Sequence, residues 1–159
     1  MGCVRVRFVA GPGFTGWSIR ELTGSLFQHV EFGTRARTWI GAHVGGGIQE
    51  RPFDYASYTL EYYYEIPCTD AEELAHEAWM RSRIGTKYNV IDIVGLMFQR
   101  RTLTRSHEYI CSQFYADGML RVFGAQRFLN VQADWTYRIT PETGHLSPIL
   151  VGRRVQRAA

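Results

Sequence analysis

Three residues in this chain have the chemistry for nucleophilic acyl transfer. Cys111 heads the stretch Cys111-Ser112-Gln113-Phe114-Tyr115, and His29 and His43 lie far upstream in Gln28-His29-Val30-Glu31-Phe32 and Trp39-Ile40-Gly41-Ala42-His43. A thiolate attacks a carbonyl carbon, and an imidazole takes the thiol proton and later delivers it to the leaving group. Alone, a free cysteine is most often a small buried core residue, so its placement decides. After Cys111, apolar residues fall at Phe114, Tyr115, Met119 and Val122, offsets of 3, 4, 8 and 11. They trace one face of a helix, and Gly118 on that face admits a close neighbour. Cys111 then sits in the first turn, where unpaired backbone N–H groups and the positive end of the helix dipole favour the thiolate.

The elements that must position the histidines are strands. Alternation over Phe27–Phe32 puts His29 on one face with Phe27 and Glu31, and Gln28, Val30 and Phe32 on the other. Gly33–Arg37 turns the chain, and Thr38–His43 returns as the second strand of a hairpin. His43 follows His29 by 14 residues, so the hairpin can bring the two together. Gly45-Gly46-Gly47 has no Lys-Ser/Thr or helix start behind it and reads as a tight turn or bulge rather than a phosphate cradle. Ile48–Pro52 is a further extended piece.

Elsewhere, Val4, Val6 and Phe8 alternate with Arg5 and Arg7 in a first strand. Residues 14–26 read as a turn or short helical piece. Tyr58–Ile66 is the strongest strand of the chain, and Pro67 is expected to stop it. Thr69 and Asp70, with Glu72 and Glu73 three residues behind, predict a capped helix. It runs to about Arg83, buries Leu74, Ala75 and Ala78, leaves His76 on the solvated side, and ends at Gly85. A buried helix over Tyr88–Phe98, a basic loop over 99–106, strand-like pieces near Phe128–Val131 and Trp135–Ile139, and a basic tail over Gly152–Ala159 complete the reading. His107 and His145 read as surface or loop residues, with His145 the outside candidate for the site. The order of elements defines an α+β fold.

A chain of 159 residues, 45% hydrophobic and 21% charged, is read as a single globular domain over 1–159. Aromatic residues make up 14% and suit a strand-rich fold or a groove that grips an extended polymer. The net charge of +3 is mild, and the cations are scattered, so no nucleic-acid partner is expected. Cys3, Cys68 and Cys111 have neither paired nor zinc-type spacing, so neither a disulfide framework nor a metal or other cofactor is expected. No apolar run approaches the roughly 20 residues of a membrane span. The first residues lack the apolar core of a secretory signal, which predicts synthesis in the cytoplasm.

His29-Val30-Glu31-Phe32, Trp39-Ile40-Gly41-Ala42-His43, Gly45–Pro52 and Ile110-Cys111-Ser112-Gln113 together resemble the circularly permuted NlpC/P60 group. That group is papain-like and includes the lecithin:retinol acyltransferase-type enzymes. The histidine precedes the cysteine by 82 residues, which is the permuted order, and the resemblance covers roughly residues 25–150. It implies an antiparallel sheet or partial barrel packed against helices, with Cys111 as nucleophile, His29 as base and His43 as the polar residue that orients His29. Glu31 rivals His43 for that role; His43 is preferred because side chains at i and i+2 on a strand run parallel. Tyr88 matches an aromatic that lines the groove or packs in the core, and the role of Gln113 stays open. The implied activity is cleavage of peptidoglycan stem peptides by a cysteine peptidase or amidase. Delivery to the cell wall by a phage tail, a lysis system or a secretion assembly is the corresponding expectation. The alternatives are acyl transfer or thioester hydrolysis on lipid-type substrates, or an assembly module whose chemistry is idle.

Overall fold

A computed structural model describes residues 1–12, 25–88, 109–127 and 153–155. Its strands are β1 (Gly2–Ala10), β2 (His29–Gly33), β3 (Thr38–His43), β4 (Gly47–Pro52), β5 (Leu60–Cys68) and β6 (Arg153–Val155), and its helices are α1 (Asp70–Ser82) and α2 (Cys111–Arg127). The strands form one antiparallel sheet in the order β4-β3-β2-β1-β5-β6. The protein is α+β, as the order of sequence signals predicts.

The alternation in β1 sets the two faces. Val6 lies between Phe32 of β2 and Tyr64 of β5, and Phe8 between Val30 and Tyr62. Phe32 in turn faces Ile40 of β3. The two helices cover this apolar face: Phe114, Tyr115 and Met119 of α2 and Met80 of α1 join Val4, Val6, Phe8, Phe32 and Ile40 in one buried cluster. Ring contacts knit the seam, with Phe8–Tyr115 at 5.3 Å and Phe32–Phe114 at 5.8 Å between centroids. Each such fully buried ring contributes about 1.5–3 kcal/mol. The opposite face carries Arg5, Arg7, Glu31, Gly33 and Trp39, because paired residues of neighbouring strands share a face. Segment 53–58 closes over part of it, with Phe53 stacked on Trp39 at 5.0 Å.

Helix α1 starts where the sequence predicts. Thr69 is its N-cap: the Glu72 backbone N–H donates to the Thr69 hydroxyl at 3.2 Å, and the Glu72 carboxylate accepts from the Thr69 N–H at 2.7 Å. Its buried face differs from the expected one. Glu73, His76 and Met80 point inward, while Leu74 is 54% exposed and Ala75 and Ala78 face solvent. Arg5 donates to Glu73 at 2.9 Å and Arg35 reaches the same carboxylate, so two cations on the sheet side turn the helix about its axis. The rotation carries His76 against Phe32 and Trp79.

Two further expectations are corrected. Pro67 does not stop β5, which continues to Cys68 with Pro67 opposite Cys3. The outer edge of β5 pairs with β6 only at Tyr63–Glu65, so a proline beyond that point removes no donor that β6 would need. Residues 153–155, read as part of a basic tail, form β6. The expected pieces at residues 13–24, 89–108 and 128–152, His107 and His145 among them, lie outside the described residues.

His76 yields a first prediction. Neither of its ring nitrogens has a hydrogen-bond partner, and burial pulls its pKa down to about 4. A depressed histidine contributes stability that is complete above the unfolded value near 6.5 and is lost as pH falls towards 4. The loss amounts to about 3 kcal/mol. His76→Leu should remove most of this acid sensitivity, read as urea midpoints at pH 7 and pH 4.5. Equal midpoint shifts in the two proteins would refute it.

Candidate active site

The start of α2 is built by local pairing. The Ile110 carbonyl accepts from Phe114 N–H at 3.0 Å, which makes Ile110 the N-cap and Cys111 the first helical residue. Gln113 then occupies the third helical position, and its side-chain oxygen accepts from the Ile110 N–H at 3.4 Å. This is the return half of a capping box, and it gives Gln113 a structural role that the sequence left open. Upstream, Tyr109 donates its N–H to Lys87 at 3.1 Å, and Thr86 accepts from Ile48 of β4 at 2.8 Å. The chain at 85–88 thus ties the head of α2 to the β3–β4 hairpin. Gly47, with φ 71°, is required there: a Cβ would meet the Thr86 carbonyl oxygen at 2.1 Å.

The β2–β3 hairpin forms as expected. Phe32 pairs with Ile40 and Gly33 with Trp39. Continued at the same register, His29 faces His43 and Glu31 faces Gly41. The two imidazole rings lie 4.7 Å apart between centroids, tilted by 50°. Gly41 has no side chain, and the space it leaves is taken by its neighbours: a Cβ there would sit 2.8 Å from Glu31 Cγ and 3.2 Å from His29 Nε2. This vacancy lets Glu31 bend towards both rings. Its Oε1 lies 3.4 Å from His29 Nε2 and 3.2 Å from His43 Nε2, without the alignment of a hydrogen bond in either case.

Cys111, His29 and His43, all expected in the site, are therefore brought together with Glu31. Cys111 is buried, and it lies near enough to His29 to be among the groups that shift the ionisation of that ring. Burial opposes a charge on His29, but contact with Cys111 and the Glu31 carboxylate outweighs it and raises the pKa to about 9. Burial pulls His43 down, against the Glu31 contact. Glu31 is itself buried, yet its neighbouring histidines and Arg7 hold its carboxyl well below the usual range. Tyr88 is half-buried and packs against the core cluster. Burial, and then the neighbouring Cys111, push its phenol up.

The sequence did not disclose what stands behind Glu31. Arg7 Nε donates to Glu31 Oε2 at 2.7 Å from a fully buried position, its guanidinium lies 4.3 Å from the Trp39 ring centroid, and Tyr55 donates its hydroxyl to Glu31 Oε1 at 2.8 Å. Tyr58 meets the Tyr55 hydroxyl at 2.8 Å. Arg7 reads as the solvated half of an alternating strand until β1 is known to lie in the middle of the sheet. Among the described residues His29, Glu31 and His43 also form a group whose ligand atoms, one from each, lie within 4.8 Å of one another.

Compared with family models and with curated proteins, the chain matches none of them in sequence. No helix among the described residues is long and apolar enough to cross a membrane.

Proposed function

We propose that the protein is a cysteine hydrolase of amide bonds with a permuted NlpC/P60-type, papain-like arrangement, and that its substrate is a peptidoglycan stem peptide. The observation that supports this most directly is a buried cysteine at the first position of a helix, in a fold that also gathers His29, His43 and Glu31 into one cluster. In the mechanism, the Cys111 thiolate bonds to the carbonyl carbon, and the Cys111 N–H steadies the oxyanion. The carbon–nitrogen bond breaks as His29 gives its proton to the departing amine. Water, losing a proton to His29, then attacks the thioester; the carbon–sulfur bond breaks and the acid is released. Glu31 is assigned to hold His29 through Nε2, and His43 to flank the same carboxylate oxygen from the second strand. A carboxylate in this position helps to keep His29 protonated at neutral pH, ready to deliver its proton to the departing amine. Delivery to the wall through a phage tail, a lysis system or a secretion assembly belongs to the same proposal.

The test is digestion of purified sacculi by the protein and by Cys111→Ala, followed by mass spectrometry of the released fragments. New amine-bearing fragments from the unmutated protein alone are expected, and their masses identify the scissile bond. No fragments, with Cys111 still alkylated rapidly, would redirect the assignment to acyl transfer on lipid-type substrates. An unreactive Cys111 would leave the idle-module reading.

A further inference from the structure

We infer that His29 Nε2, Glu31 Oε1 and His43 Nε2 form a binding site for one divalent ion of the zinc type. The hairpin presents them as His-x-Glu on β2 with a histidine opposite on β3. Zinc takes imidazole nitrogen and carboxylate oxygen at about 2.0–2.1 Å in a tetrahedral arrangement, which separates neighbouring ligands by roughly 3.3–3.4 Å. The two nitrogen–oxygen edges of this group measure 3.4 and 3.2 Å, and one ring nitrogen of each histidine lies within 4.8 Å of one on the other. Both nitrogen–oxygen edges match that separation without movement.

Three further observations favour an ion at this point. Both Nε2 atoms are buried and have no hydrogen-bond partner, although polar atoms in such positions are usually satisfied. The carboxylate is already held from behind, by Tyr55 on Oε1 and Arg7 on Oε2, which is the outer-shell support that fixes a metal-binding carboxylate. Gly41 has no Cβ to crowd Glu31 Oε1 and His29 Nε2, which occupy the space a side chain there would need. Two imidazoles and one carboxylate select zinc over magnesium or calcium, which prefer oxygen donors.

The inference stands on ligand geometry and not on the hydrolase proposal. If that proposal also holds, a bound ion withdraws His29 from proton transfer, and one equivalent inhibits hydrolysis. Inhibition thus depends on both readings, whereas binding depends on this one alone.

The experiment is calorimetric titration of chelator-treated protein with zinc chloride, beside imidazole-optimised 1H–15N spectra of the same sample. One equivalent is expected to bind, with the Nε2 resonances of His29 and His43 both moving on its addition. His43→Gln should weaken binding by more than about 100-fold, since loss of a ligand costs more than loss of an outer-shell partner. Gly41→Ala should also weaken it, by crowding Glu31 and His29. No stoichiometric binding, or binding that leaves both Nε2 resonances in place, overturns the assignment without recourse to any variant. Unchanged affinity in a folded His43→Gln protein overturns it as well.

Discussion

Arg7→Met is expected to lower stability by about 3–5 kcal/mol, because it removes the guanidinium that pairs with the buried Glu31 carboxylate and leaves only the His29 side to balance it. Arg7 and Glu31 are both essentially inaccessible, and the guanidinium touches the carboxylate at 2.7 Å. Methionine fills much of the stem volume and makes no ion pair, so the loss measures the unpaired charge more than a cavity. Arg7→Met/Glu31→Gln removes both charges and should recover part of the loss, giving a coupling energy in a double-mutant cycle. Urea denaturation at pH 7 is the measurement, read as a midpoint shift at constant slope. A loss below about 1 kcal/mol, the range of exposed ion pairs, would mean that Glu31 finds solvent or a proton in solution.

The second large effect concerns His29. His29→Ala should reduce peptidoglycan hydrolysis by about 10²–10⁴-fold, the usual contribution of a positioned acid–base group. In chelator-treated protein the rate should also fall as pH rises through about 9, where His29 loses the proton it delivers to the amine. Glu31→Gln should move this alkaline limb to lower pH, because the carboxylate that favours the imidazolium is gone. The same shift has a stability counterpart. A raised histidine stabilises the fold fully below the unfolded value near 6.5, and the contribution disappears as pH rises through about 9. An alkaline limb indifferent to Glu31→Gln would remove Glu31 from the role of holding His29.

What was legible in the sequence was local. The Thr69/Glu72 cap, the glycine turn at 45–47, the β2–β3 hairpin and the cysteine at the head of α2 each depend on residues a few positions apart. The meeting of His29 and His43 was legible for the same reason, since a tight hairpin fixes register. The approach of Glu31 to the same cluster was less legible, because neighbours at i and i+2 on a strand are expected to run parallel. Side chains at i and i+2 run parallel when the facing residue fills the space between them, and here that residue is Gly41. The buried face of α1 was hidden because its anchor, Glu73, pairs with Arg5 and Arg35, 68 and 38 residues away. Arg7 and β6 share that cause: each is placed by a partner strand that no local pattern identifies.

The central position of β1 has a consequence for the order in which the chain can fold. β1 hydrogen-bonds on one side to residues 29–33 and on the other to residues 60–68, both later in the chain. Neither edge of β1 is satisfied until those later segments arrive, and each pairing costs loop closure before it returns any contact. The β2–β3–β4 meander, whose turns are short, can assemble ahead of it. Refolding should therefore show an early hairpin phase followed by a slower docking of β1, which is also the step that brings Arg7 to Glu31 and completes the ground beneath the two histidines.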